Sequence, residues 1–520
     1  MSGIMFDLDG DHFYHSRKNH IALVDEEHIK KSILQYKDTD ITDFVMSING
    51  ALSSTPSKVK TTFMEKYLRK EELGKPVDYT DTCAKTAYHI WNVLGLDLYK
   101  IWIDTLREIN INPWLSFRMN DVHHQIDLPN YGQNDFFYSH VDEYARIHSR
   151  QPEFYRDRAR DWFIEDVRRE MYDYIEEQLG VYDVYGILLD FQREFVCFSP
   201  GREDEGRIIM TEFMRSVKAL VAKMEKVYGH KIKIALRCHP DPVECYTLGF
   251  DVTTYAREGF IDLLVLSPHF RSTNTDMPIA YWKQLLSPYG IELAGTSERM
   301  ILPYPSAPLK MNSAETFQTV ETHMGTAASI FTQGADKYYV FNTFDETQEI
   351  MSKGCKDSNI LYKSSEIPNE DGTFKDGAYT LLTNAGSMEK ISKRVRKCIP
   401  TYSDTNALWH KAVAQLPVEF KAGSQPYYIK INTGRLSDTD KVFLRLGIEG
   451  DAESLLVLVN DTAVEFVGTE ECGYPMHTQN KICKYLVPKC AYAPCGQVVE
   501  FIYRADSILK IDYADIVVLP

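Results

Sequence analysis

Over roughly its first four hundred residues the chain alternates short apolar segments with longer stretches of helical periodicity, and this alternation constrains the fold more than any other feature. The apolar segments are Gly3 to Leu8, Ile41 to Ile48, Asn112 to Phe117, Val184 to Leu189, Ile232 to Leu236, Ile261 to Leu266, Ile291 to Ala294 and Tyr338 to Phe341. Strand then helix, repeated, is the pattern of a parallel sheet with helices packed outside it. Repeated eight times, it closes most naturally as a (β/α)8 TIM barrel. The clearest helix runs from Asp161 to Leu179, where Phe163, Val167, Met171, Tyr174, Ile175 and Leu179 fall on one face, and Gly180 is expected to stop it. Similar patterns cover Ile209 to Val227 and Ala314 to Phe331.

Two insertions, Gly50 to Asp81 and Phe344 to Tyr379, follow strand ends and so belong to the catalytic face of such a barrel. From Pro417 the rhythm changes to short alternating segments, Tyr427 to Ile431, Val442 to Leu446, Leu455 to Val459, Val464 to Val467, Val498 to Tyr503 and Ile508 to Val518, which read as an antiparallel β-sandwich. The expected division is a barrel over residues 1–400 and a sandwich over 401–520. Three roles suit the second domain: binding carbohydrate, covering the barrel, or forming a homodimer contact. A structural or oligomerising role is favoured.

The formal charge of -16 and a pI near 5.5 argue against a nucleic-acid partner, which calls for surplus Lys and Arg. The first apolar run is too short for a signal segment and carries Asp7 and Asp9, and no later run approaches membrane-spanning length. A cytoplasmic location with no membrane partner is the expectation. The ten cysteines include no CxxC pair and are expected as free, buried thiols. A phosphate-binding glycine loop, a GxSxG nucleophile elbow and a nicotinamide fingerprint are all missing from the sequence, and no cofactor is implied.

Ionisable side chains gather where the strands end. The first strand leads into Asp7, Asp9 and Asp11, the third into Arg118, Asp121 and His123, and the fourth into Asp190 and Arg193. Arg237 closes the fifth, His269 the sixth, Glu298 the seventh and Asn342 the eighth. Asp121 and His123 are two residues apart, so extended backbone turns both to one face and gives the imidazole a carboxylate partner suited to proton donation near neutral pH. Arg118, Arg193 and Arg237 either converge on one anionic group or each neutralise an acidic neighbour such as Asp121, Asp190 or Glu194. Metal chemistry is the main competing class, because His123, His124, His239, His269, Asp121 and Asp190 are ligand types, but the first strand lacks an HxH and no metal is assigned.

The segments PWLSFRMNDVHH, YGILLDFQREFVCFSPG, GFDVTTYAREGFIDLLVLSPHF and GADKYYVFNTF resemble glycoside-hydrolase-like barrels from about Gly3 to Phe344. Within them the Arg118, Asp121 and His123 pattern resembles glycoside hydrolase family 156, whose members are inverting exo-sialidases. The resemblance implies His123 and Asp121 at the catalytic centre and Arg118 and Arg193 on the sugar carboxylate. It further implies Asn342 on the sugar's substituents and a first-strand aspartate, Asp7 or Asp9, facing the anomeric carbon. Asp190, Arg237 and His269 join the substrate-contact candidates from their strand ends. The expected reaction is exo-hydrolysis of a terminal acidic sugar from an oligosaccharide or sialoside. The alternatives are a metal-dependent hydrolase and a barrel that binds sugar without turnover.

Overall fold

The computed structural model describes residues 2–17, 21–69, 78–121, 123, 131–140, 159–192, 195–199, 201–268, 272–298, 300–303, 318–341, 381–402, 413–471 and 481–520. Eight parallel strands close a barrel in sequence order. They are β1 (Gly3–Asp9), β2 (Ile41–Asn49), β3 (Asn112–Arg118), β4 (Gly186–Asp190), β5 (Lys233–Cys238), β6 (Leu263–Leu266), β7 (Glu292–Ser297) and β8 (Lys337–Phe341). Each coincides with a predicted apolar segment to within three residues at either end.

Successive side chains of a strand face opposite sides of the wall, so each strand supplies two cores. Ile4, Phe6, Phe44, Met46, Leu115, Phe117, Ile187 and Leu189 face outward and pack with the helices in one large cluster. Met5, Val45, Trp114, Leu188, Ala235, Val265, Ala294 and Tyr339 form a separate cluster that fills the lumen. Gly186 opens β4 where the Trp114 ring crosses the lumen: a Cβ there would lie 2.4 Å from the ring. Continuing the inward series toward the C-terminal ends brings Asp7, Asp9, Arg118, Asp190 and Arg237 to the top of the barrel.

The helix predicted from Asp161 spans Glu165–Val181, with Val167, Met171, Tyr174, Ile175 and Leu179 buried as expected. Gly180 does not stop it. The helix runs through that residue and ends where Tyr182 turns extended. Gly229, by contrast, does end Glu203–Tyr228 in a left-handed cap at φ 77°. The first insertion folds back on the 165–181 helix through Ser53 to Tyr174, Thr55 to Gln178 and Ser57 to Glu177, and it contains the helix Phe63–Leu68. Residues 344–379, the second insertion, lie outside the described residues.

The C-terminal part forms two antiparallel sheets that enclose a second core. One contains β9 (Arg396–Cys398), β10 (Val418–Phe420), β12 (Lys441–Glu449), β15 (Glu465–Glu471), β16 (Lys481–Val487) and β18 (Leu509–Leu519). The other is built from β11 (Tyr427–Asn432), β13 (Leu455–Val459), β14 (Thr462–Ala463) and β17 (Gly496–Tyr503). β9 falls within the span expected for the barrel but pairs with β18. The barrel helix Val320–Thr332 packs on it, and Gly325 permits that contact, since a Cβ there would come within 2.2 Å of the Lys397 carbonyl oxygen. Thr275 Oγ1 donates to the Ile399 carbonyl at 2.8 Å, and Asn432 Nδ2 donates to the Thr275 carbonyl at 2.9 Å. Gly325→Ala is therefore expected to destabilise the protein by about 1–3 kcal/mol through overpacking. A urea unfolding midpoint equal to that of the wild type would show that the interface yields without cost.

All eight described cysteines are free; Cys490 and Cys495 are exposed rather than buried. No helix among the described residues is long and apolar enough to cross a membrane.

Candidate active site

The mouth of the barrel is organised around Arg118. Its position at the inward-facing end of β3 places Nη2 2.5 Å from Asp9 Oδ1 on β1 and Nη1 3.6 Å from Asp121 Oδ2 in the loop that follows. Asp121 in turn reaches His123: Oδ2 is 2.8 Å from Nδ1 of the ring, and Oδ1 accepts the His123 backbone N–H at 3.0 Å. The two meet through a tight loop contact, not through continued strand geometry, because β3 ends at Arg118. Asp121 is buried, whereas the His123 side chain is 43% exposed. An imidazole open to a ligand is thus aimed by a carboxylate that solvent does not reach, which suits proton transfer.

The surrounding loops hold this arrangement in place. Asn49, at the end of β2, donates from Nδ2 to the Arg118 carbonyl at 3.1 Å and to the Gly50 carbonyl at 3.0 Å. Gln133 donates to the His123 carbonyl, and Asn120 bridges the Val196 carbonyl and the Arg160 N–H. Burial by itself raises the proton affinity of Asp121, but His123 and Arg118 outweigh it and hold the carboxyl well below the usual carboxylate range.

Beneath the mouth lies a second charged layer. Arg237 is fully buried and donates to Asp190 Oδ2 at 3.2 Å, Ser267 Oγ at 2.9 Å and Glu298 Oε1 at 3.0 Å, with its guanidinium 3.8 Å from the Phe341 ring centroid. Asp190 also accepts the Gln192 N–H. Burial pushes Asp190 above its ordinary value despite Arg237 and Arg118. Asp7 is buried alongside and accepts the Tyr339 hydroxyl on Oδ2. Burial and then the neighbouring Asp9 push the Asp7 carboxyl up to about 8.

Of the predicted site residues, Asp9, Arg118, Asp121 and His123 come together at the mouth, while Asp7, Asp190 and Arg237 form the layer beneath. Arg193, His269 and Asn342 lie outside the described residues. Three arginines on one anion is not the arrangement of the two that are described: Arg118 neutralises Asp9 and Asp121, and Arg237 neutralises Asp190 and Glu298. Arg237, expected as a substrate contact, is fully buried and directed to these carboxylates instead of to the open mouth. Sequence reasoning named Glu298 among the strand-end groups without giving it a role, and it did not select Tyr339. Tyr339 was within reach, since strand alternation sets it on the same inward face as Phe341.

Among the described residues, Asp9, Asp11 and His12 bring ligand-type atoms within 4.8 Å of one another. The Arg118 guanidinium on Asp9 already puts a positive charge there, and no ligand role is assigned to them. A surface depression of about 510 Å³ lies at the opposite end of the barrel, where its His230 and Arg107 both pair with Asp183.

No protein-family model matches the chain, and no curated protein matches it. Similar solved structures include chitinase ChiA74 from Bacillus thuringiensis, at 9% identity and a TM-score of 0.38 over 99% of this chain and 100% of that one. Alpha-L-fucosidase isoenzyme 1 from Paenibacillus thiaminolyticus is similar at 11% identity and a TM-score of 0.35, with 97% of each chain covered. A cycloisomaltooligosaccharide glucanotransferase from Paenibacillus sp. matches at 7% identity and a TM-score of 0.32 over 94% of this chain; the match spans about half of that longer protein, 55%. At such scores the barrel assignment rests on its own strand order and not on these likenesses.

Proposed function

We propose that the protein is a glycoside hydrolase that removes a terminal acidic sugar, such as sialic acid, from a small oligosaccharide by single displacement with inversion. The observation that carries this reading is the chain of contacts Asp9, Arg118, Asp121 and His123 across the barrel mouth. It offers a proton donor and a separate carboxylate on either side of one guanidinium. Hydrolysis of a glycoside needs those two functions, with negative groups near the developing oxocarbenium charge. In this mechanism His123 protonates the leaving oxygen while Asp9 activates water on the opposite face of the sugar. Asp121 keeps the ring oriented. The acidic sugar is supported by the family 156 resemblance in Arg118, Asp121 and His123. By the same resemblance the sugar carboxylate falls to Arg118, whose side chain is 12% exposed, and to Arg193, whereas Arg237 is fully buried.

The test is fluorophore release from an aryl sialoside, run beside an aryl glucuronide and neutral aryl glycosides, for the wild type and His123→Ala. Turnover of the sialoside is expected, with no effect of a chelator and a loss of about 10²–10⁴-fold in the variant. Cleavage of neutral glycosides alone refutes the acidic-sugar part. Binding without turnover leaves a sugar-binding barrel, and chelator-sensitive turnover leaves a metal-dependent hydrolase.

A further inference from the structure

Two carboxyl groups stand one pleat step apart on the inward face of β1, in unequal surroundings. Asp9 meets a guanidinium at the mouth, whereas Asp7 lies beneath it and is 1% exposed. The groups that act on Asp7 are Asp9 on its own strand, Asp190 from β4, Arg237 from β5 and Tyr339 from β8. Among the described residues only the Tyr339 hydroxyl reaches it with a hydrogen bond, on Oδ2. Its other oxygen, Oδ1, is buried and has no hydrogen-bond partner among the described residues. The terminal nitrogens of Arg237 are directed to Asp190, Ser267 and Glu298.

An ionised carboxylate removed from water needs donors on both oxygens or a cation in contact. Asp7 has one neutral donor, two carboxylates for neighbours, and in Arg237 a cation that acts on it without an ion-pair contact. A carboxylic acid fits that environment and a carboxylate does not. The upward push on Asp7 points the same way.

We propose that Asp7, joined to the Tyr339 hydroxyl beneath Asp9, carries its proton in the working protein and is a positioning residue that spares the barrel floor one negative charge, so that an anionic sugar can dock above it. The choice between the two first-strand aspartates then resolves: Asp9 bears the charge at the mouth and Asp7 is its neutral support. The protonation itself stands independently of the glycosidase reading; the effect on docking rests on that reading.

Infrared difference spectra of the intact protein test the protonation directly. At about pH 6 the wild type is expected to show a carboxylic-acid C=O band that Asp7→Asn lacks, and the band is expected to fade by about pH 9. Tyr339→Phe removes a donor that favours the charged form, so its band persists to higher pH than that of the wild type. The stability sign follows from linkage. A raised carboxyl contributes stability below its unfolded value and loses that contribution as pH rises through about 8. The Tm of the wild type is therefore expected to fall relative to that of Asp7→Asn between pH 6 and pH 9. No band lost in Asp7→Asn, together with parallel Tm profiles, overturns the proposal.

The docking consequence is read in KM. Ionising Asp7 adds a charge within about 10 Å of a bound anion, and KM for an acidic aryl glycoside is expected to rise about ten-fold in the wild type but not in Asp7→Asn, with no rise for a neutral glycoside. A KM flat across that range overturns the electrostatic role. If no glycoside is turned over at all, the proposed function fails, and the infrared and Tm measurements still decide whether Asp7 holds its proton.

Discussion

Replacing Asp121 by asparagine is expected to lower kcat/KM about 10³-fold on whichever aryl glycoside the wild type cleaves, while leaving the far-UV circular dichroism unchanged. The carboxylate reaches His123 twice, through Nδ1 at 2.8 Å and through the backbone N–H at 3.0 Å. An imidazole with this kind of partner is held in one tautomer and one orientation, and its cationic form is stabilised during proton transfer. Asparagine keeps the shape and the backbone contact but loses the charge, so the ring stays close to its place in the wrong protonation state. Arg118 retains Asp9, which limits the structural damage. The loss belongs in kcat more than in KM, because the interaction strengthens as charge develops on the ring. Activity within ten-fold of the wild type would remove Asp121 from the mechanism and leave His123 acting alone.

The largest effect on stability is expected from Glu170→Gln. Glu170 lies on the 165–181 helix, buried between two cations: Lys60 of the first insertion at 2.8 Å, and Arg160. The Lys60 side chain is 0% exposed, and burial followed by the Arg160 charge presses its ammonium down to about 8. Neutralising the carboxylate that both buried cations contact removes their shared pairing, a change that costs about 3–5 kcal/mol. The urea midpoint is the measurement. Glu389→Gln serves as the control, since its partner Lys393 is 68% exposed, and it is expected to shift stability by about 1 kcal/mol or less. Equal midpoints for the two variants would show that the insertion is not anchored through Glu170. Pairing also holds Glu170 below its ordinary value of 4.5, so its contribution is complete above that pH and is lost as pH falls through the lowered value. The glutamine variant is expected to lack that share of the acid sensitivity.

The same helix shows how far a linear reading extends. Val167, Met171, Tyr174, Ile175 and Leu179 were legible as its buried face from spacing alone. Glu170 and Gln178 are buried as well; their spacing places them on or beside that face, but their polarity by itself would assign both to solvent. They are inside because the first insertion covers them and supplies Lys60 as a partner to Glu170 and Thr55 as a partner to Gln178. Gly180 misled for a related reason. A glycine permits a left-handed cap but does not require one, and here the helix continues through it to Val181.

For the barrel and its candidate site, the division follows the range of the forces. Apolar periodicity is written into neighbouring residues, so the eight strands and the gathering of ionisable groups at their ends follow from the chain order alone. Which charge neutralises which is decided between residues far apart in the chain. Arg118 meets Asp9 across 109 residues, Lys60 meets Glu170 across 110, and Tyr339 meets Asp7 across 332. Closure of the barrel brings these pairs together, and the low dielectric inside makes each pairing strong enough to set protonation. The sequence therefore determined where the chemistry collects. Only the tertiary structure separated an exposed, carboxylate-backed His123 from a buried Arg237 already neutralised, and a paired Asp9 from an Asp7 left with one neutral donor.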